Sequence, residues 1–148
     1  MKKLILLILI VCGMSFLGFG QSFKFVVNVD VQLREKDLQD KVESYVTREL
    51  RSLGDVEISN KDPFYTIRIL GLKDRTVGGR SLGYTLSTVI IWHSTCLTPS
   101  AKTVQDTYPC EIFDDHYIRS GSDDDLQDLC KDIVTNFDIR SLKPLRKK

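Results

Sequence analysis

The residues of this chain best suited to chemistry are His93, His116 and the cysteines at 96, 110 and 130. His93-x-x-Cys96 and Cys110-x5-His116 place two thiols and two imidazoles near the ends of what read as neighbouring strands. Tetrahedral zinc accepts that donor set. The spacing is irregular and contains no Cys-x-x-Cys knuckle, so Cys96 and Cys110 have three options: a disulfide, a zinc site or free thiols. An oxidising compartment favours the disulfide, which would close about 15 residues and contribute roughly 3 kcal/mol in the chain-entropy model. His93 and His116 then read as surface strand residues, and no metal site is assigned.

Other chemistries find no footing. A nucleophilic triad needs a serine or cysteine, a histidine and an acid in contact. Gly79-Arg80-Ser81-Leu82-Gly83 has the Gly-x-Ser-x-Gly spacing but joins two strands with no helix following, so it is not the strand-to-helix elbow that positions a nucleophile. Gly78-Gly79-Arg80 lacks the Lys-Ser/Thr ending and following helix of a phosphate loop, and reads as a hairpin connection. Asp114-Asp115 and Asp123-Asp124-Asp125 miss the alternating spacing of a calcium loop, and the triple Asp suits the positive end of a helix. No catalytic residue and no cofactor is assigned.

The elements that must position these residues follow from periodicity. Phe23, Phe25, Val27, Val29 and Val31 alternate with polar residues as a half-buried strand. Leu38, Val42, Tyr45, Val46, Leu50 and Leu53 lie on one face of a helix over 37–53, and Gly54 stands where a left-handed residue would end it. Val56 to Ser59 is a short strand, Asn60 to Pro63 a turn, and Phe64 to Lys73 a strand with Thr66 and Arg68 opposite Tyr65, Ile67 and Ile69. Leu82 to Thr95 is long enough to need a bulge or bend near Gly83 or beyond Trp92. Tyr84, Leu86, Ile90 and Trp92 share one of its faces. Residues 111–119 form a weaker last strand. Ser122 caps a second helix whose apolar face is Leu126, Leu129, Cys130, Ile133 and Phe137, which buries the Cys130 thiol.

The fold class expected is therefore α+β, in the order β-α-β-β-β-β-α, with a mostly antiparallel sheet and two helices packed on one face. The three strands after the first helix that short connections join are expected to form an antiparallel meander. The domain organisation is a signal peptide over 1–20, one domain over 21–138 and a basic C-terminal tail over 139–148. The signal reading rests on Lys2 and Lys3, the apolar run Leu4 to Phe19 and the Gly18-Phe19-Gly20 cleavage site. That run is short for a span of about 20 residues, so an uncleaved anchor is the lesser reading. The mature chain would have no transmembrane helix and would be periplasmic or secreted. The formal net charge of +1 includes Lys2 and Lys3. The mature domain is thus close to neutral, without the field that nucleic-acid binding uses.

The signal peptide, the helix end Arg48-Glu49-Leu50-Arg51-Ser52-Leu53-Gly54 and the closing helix resemble, in element order, small exported domains of bacterial envelope proteins such as the N-terminal domain of the TolB family. That family continues into a β-propeller for which this chain has no room, and its partner-binding role carries over to no residue here. With no motif that brings a nucleophile, a base and oxyanion donors together, and with one sheet face left uncovered by the helices, the function expected is an exported, non-enzymatic interaction or envelope-associated module that binds a protein or envelope component. The docking face expected is the helix-free side of the sheet, with Thr66, Arg68, Thr85 and Ser87 upon it and Phe64, Leu70 and Leu72 at its margins. The alternative is a small secreted hydrolase or ligand-binding protein with its site in loops 74–81 and 97–110.

Overall fold

The structure is a computed structural model and describes residues 24–75, 78–97 and 107–147. The signal segment and most of loop 97–110 lie outside the described residues.

The first strand, β1 (Phe25–Leu33), buries Phe25, Val27 and Val31, as its period-2 pattern requires. The helix α1 (Lys36–Ser52) buries Leu38, Val42, Val46 and Leu50 along one stripe. It ends at Gly54, whose φ of +81° is the left-handed conformation the sequence anticipates there. The chain then returns as β2 (Val56–Ile58), parallel to β1. A strand followed by a helix that runs back along it leaves the next strand pointing the same way.

Here the sheet departs from a simple meander. β2 stops level with Val27, and β3 (Tyr65–Arg75) starts level with the same residue on the other side of β1, again parallel. Only residues 59–64 join β2 to β3, with Asp62 at φ +48° beside Pro63, so the chain steps across β1 without reversing. β3, β4 (Ser81–Leu97) and β5 (Thr107–Gly121) are antiparallel neighbours. The sheet order is β2-β1-β3-β4-β5, a mixed five-stranded sheet in an α+β fold.

Two bulges shape the long β4–β5 hairpin. The first admits Leu82 as an extra residue beside Gly83, where the sequence asks for one. Gly83 has φ +127°, and a Cβ on it would lie 2.0 Å from the Gly121 carbonyl oxygen, so the crossing there needs glycine. The second lies in β5, where Asp114 is the unpaired residue between the Ile90–Asp115 and Ile91–Phe113 pairs. Beyond the Tyr65–Trp92 pair the hairpin has no β3 partner and continues as a two-stranded arm. Cys96 and Cys110 form a disulfide across this arm, with Cα atoms 5.8 Å apart.

The second helix, α2 (Leu126–Phe137), packs beside α1 on the same side of the sheet. Its buried face includes Leu129, Cys130, Ile133 and Phe137. Phe137 meets Tyr65 edge to face at 5.2 Å, and the Tyr117 hydroxyl donates to the Ile133 carbonyl at 2.7 Å. A 3₁₀ turn, Asp123–Asp125, precedes α2. The Ser122 hydroxyl forms a capping box with Asp125. It donates to Asp125 Oδ2 at 2.7 Å, and the Ser122 N–H donates to the same oxygen at 3.0 Å. Serine and acid therefore cap the turn reciprocally, and these bonds hold the Asp125 carboxyl below the usual range.

The stretch read as a basic tail is part of the domain. A π-helical turn, Asp138–Leu142, continues α2, and a last helical turn, α3 (Lys143–Leu145), follows it. Ser141 and Leu142 are buried. Ser141 Oγ donates to Asp114 Oδ2 at 2.5 Å and Arg140 Nη1 to Asp115 Oδ2 at 2.8 Å, so this segment clasps the β5 bulge. Leu142 and Leu145 are too few apolar residues to register as a periodic pattern, which is why the lysines and arginines around them dominate the sequence reading.

Candidate interaction face of the sheet

Both helices lie on the side of the sheet that carries Val27, Tyr65, Ile67, Leu86 and Ile90. The other side, by strand alternation, carries Asn28, Asp30 and Gln32 from β1 and Thr66, Arg68, Leu70 and Leu72 from β3. β4 adds Thr85, Ser87, Val89, Ile91 and His93, and β5 adds Phe113, His116, Ile118 and Ser120. The register sets these in rows. Asp30, Arg68, Val89 and His116 form one, and Gln32, Leu70, Ser87 and Ile118 the next.

All four polar residues expected on this face are there, and the structure ties each to a neighbour. Thr66 is buried, and its hydroxyl shares a 2.8 Å hydrogen bond with His93 Nε2. Arg68 Nε donates to Asp30 Oδ2 at 2.8 Å, and Gln32 Nε2 lies 3.1 Å from both oxygens of the same carboxylate. Thr85 Oγ1 donates to Asp74 Oδ2 at 2.8 Å and lies 2.9 Å from Ser120 Oγ. Ser87 Oγ and His116 Nε2 are 3.0 Å apart. Such cross-strand pairs stabilise the sheet and keep its polar groups satisfied.

Ile91 is buried on this face, but several other apolar side chains are exposed. Leu72 retains 69% of its surface, Phe113 65% and Ile118 55%. Phe113 is the residue that strand alternation in the sequence misplaces, whereas Ile118 follows Tyr117 onto the opposite face without interruption. Without the bulge at Asp114, Phe113 would share a face with Tyr117, on the helix side. The extra residue reverses the alternation and puts Phe113 beside His116 and Ile118. Phe64, expected at the margin of this face, lies instead at the end of the sheet, against Phe25, Tyr65 and Trp92.

Geometry bears on each of the chemical alternatives. The Ser87–His116 pair is the nearest approach to a nucleophile and its base. The neighbouring acid, Asp115, accepts from the His116 backbone N–H at 2.9 Å and from Arg140 rather than from the imidazole. Cys96 and Cys110 are joined to each other, so the His93/Cys96/Cys110/His116 zinc set has lost its thiolates. Among the described residues no cluster of three histidine, cysteine or acidic side chains could hold a metal ion. Cys130 is buried against the helices, and desolvation pushes its thiol up to about 12, which makes it inert.

No family model matches the chain, and no curated protein does. The chain is similar, at TM-scores below 0.5, to several solved structures. PelC from Paraburkholderia phytofirmans, solved as a dodecamer, has a TM-score of 0.41 and 14% identity over 78% of this chain and 86% of its own. The rare lipoprotein B of Shewanella oneidensis has a TM-score of 0.31 and 12% identity over 78% and 97%. A minor lipoprotein of Acinetobacter baumannii has a TM-score of 0.30 and 16% identity over 76% and 92%.

Proposed function

We propose that this chain is an exported, non-enzymatic interaction module that binds a protein or other envelope component through the helix-free face of its sheet. The observation that carries the reading is the set of exposed apolar side chains, Leu72, Phe113 and Ile118, standing in a lattice of mutually satisfied polar groups. Recognition sites draw most of their energy from a few such anchors. The Lys2-Lys3 and Gly18-Phe19-Gly20 layout supports export, and the Cys96–Cys110 disulfide suits an oxidising compartment. Among the described residues no helix is long and apolar enough to cross a membrane.

The test is site-specific photo-crosslinking in the native envelope. A photoreactive phenylalanine at position 113 should give a discrete adduct, whereas the same group at Glu43, exposed on α1, should not. Phe113→Asp with Ile118→Asp should abolish the adduct formed from a third photoreactive position, Leu72, while the thermal midpoint moves little, since both side chains are already exposed. Equal labelling at 113 and 43 would sink the reading. So would a turnover activity of the purified protein that disappears in His93→Ala or His116→Ala with the fold intact, which would promote the hydrolase alternative.

A further inference from the structure

A second site lies away from that face, at the end of the sheet where the α1–β2 turn meets the C-terminal segment. A cavity of about 470 Å³ opens there, lined by Phe25, Asp55, Phe64, Leu145 and Arg146. Phe64 stands between two other rings, with centroids 6.1 Å from Phe25 and 6.4 Å from Trp92. The result is an aromatic shelf that ends in the half-exposed indole. Asp55 and Arg146 are among the cavity's lining residues, and a third charge, Asp138, is joined to it through Arg146. Arg146 Nε donates to Asp55 Oδ2 at 2.5 Å, Arg146 Nη2 donates to Asp55 Oδ1 at 2.8 Å, and Arg146 Nη1 donates to Asp138 Oδ1.

We infer that this cavity binds an organic ammonium, the carbon skeleton lying on the aromatic shelf and the cation beside the two carboxylates. Charge and ring chemistry both lead there. Two carboxylates face one guanidinium, so the cluster carries a net negative charge. The guanidinium already uses all three of its nitrogens on those carboxylates, and an incoming anion would compete with them for it. Each aspartate keeps lone pairs open. The faces of aromatic rings attract cations and repel anions, and the Arg146 guanidinium, 6.0 Å from the Phe25 ring centroid, is already in such a contact. The volume suits a small amine or the side chain of a lysine. This inference goes beyond the interaction-face reading and does not depend on it, because none of these residues lies on that face.

The chain has a single tryptophan, Trp92, at the end of the shelf. Its fluorescence should report binding directly. The purified protein is titrated with phenethylammonium, with phenylacetate of nearly the same skeleton and opposite charge, and with neutral 2-phenylethanol. Saturable quenching is expected with phenethylammonium, at least about tenfold tighter than with phenylacetate. Nα-acetyl-lysine amide is the arm that asks whether a lysine of a partner protein can be the source. Saturation by it identifies a side chain as sufficient, and saturation by phenethylammonium alone identifies a free amine. Asp138→Asn should erase most of the preference for the cation, and Phe64→Leu should weaken both aromatic ligands alike. Should either variant unfold, competition of phenethylammonium against Nα-acetyl-lysine amide on the unaltered protein tests the same site: mutual displacement supports it, and independent binding overturns it. Absence of saturation by any cation, or equal affinity for the two charges, overturns the inference. Loss of binding in the Phe113→Asp, Ile118→Asp protein would also overturn its independence from the sheet face.

Discussion

Leu142→Ala is the substitution on which a tail and a domain segment differ most. Leu142 is fully buried within the core cluster. Truncation to alanine removes three carbons, worth about 2.4 kcal/mol at about 0.8 kcal/mol per methylene. The cavity left behind raises the loss to about 3–5 kcal/mol, the upper half of the range for buried leucines. A solvated tail would lose no more than about 0.5 kcal/mol. With a urea m-value of about 2 kcal/mol per molar, the midpoint should fall by roughly 1.5–2.5 M. The assay is equilibrium urea unfolding followed by far-UV circular dichroism and by Trp92 emission. The two probes sample the helices and the end of the sheet beside the C-terminal segment, so coincident curves show that the segment unfolds with the rest. Lys143→Ala, at an exposed neighbouring position, is the control and should move the midpoint by less than about 0.3 M. A shift that small in Leu142→Ala would refute the packing argument.

Two further outcomes follow from named contacts. Reduction of Cys96–Cys110, which are 14 residues apart in sequence, should cost up to about 3 kcal/mol of stability, lower the calorimetric midpoint and speed amide exchange at 93–97 before the core; an unchanged midpoint and exchange pattern under reductant would count against the stapled arm. Alkaline stability tests Tyr117. Burial, followed by the Asp115 charge, raises its phenol above the ordinary value of 10. A folded-state pKa above the unfolded one contributes stability that is full below about pH 10 and lost as pH rises beyond it. Tyr117→Phe should therefore cost stability at neutral pH by removing the donor to the Ile133 carbonyl, and should flatten the loss above pH 10. An identical alkaline slope in the variant would show that Tyr65 and Cys130, also raised by burial, account for it.

What could be read from the sequence was what repeats locally. The alternation of Phe25, Val27 and Val31 and the helical stripe from Leu38 to Leu50 need only nearest neighbours in the chain to be visible, and the structure keeps both. Gly54 and Gly83 were legible because a left-handed turn and a close strand crossing each demand one residue type. The path of β2 was not, because its parallel place beside β1 depends on where residues 59–64 cross, and three strand residues carry too little pattern to say. The C-terminal turn was not, because Leu142 is buried by distant residues and not by its own periodicity.

The interaction face shows the same limit in a sharper form. Thr66, Arg68, Thr85 and Ser87 can be placed on the helix-free side by counting in twos along unbulged strands, and there they are. Their position does not make them the binding determinants, since each side chain already has its partner within the sheet. Arg68→Glu would set a second carboxylate against Asp30, so its effect on a partner could not be separated from its effect on the fold. Phe113 and Ile118 lack that difficulty, because their exposed surface gains nothing from the sheet and stands to gain from being covered. One unpaired residue, Asp114, brings them onto the same face, and the Ser141 hydroxyl from the far end of the chain holds its carboxylate there. The C-terminal segment thus reaches the candidate docking face through the bulge it clasps, so Ser141→Ala should loosen Phe113 without touching it.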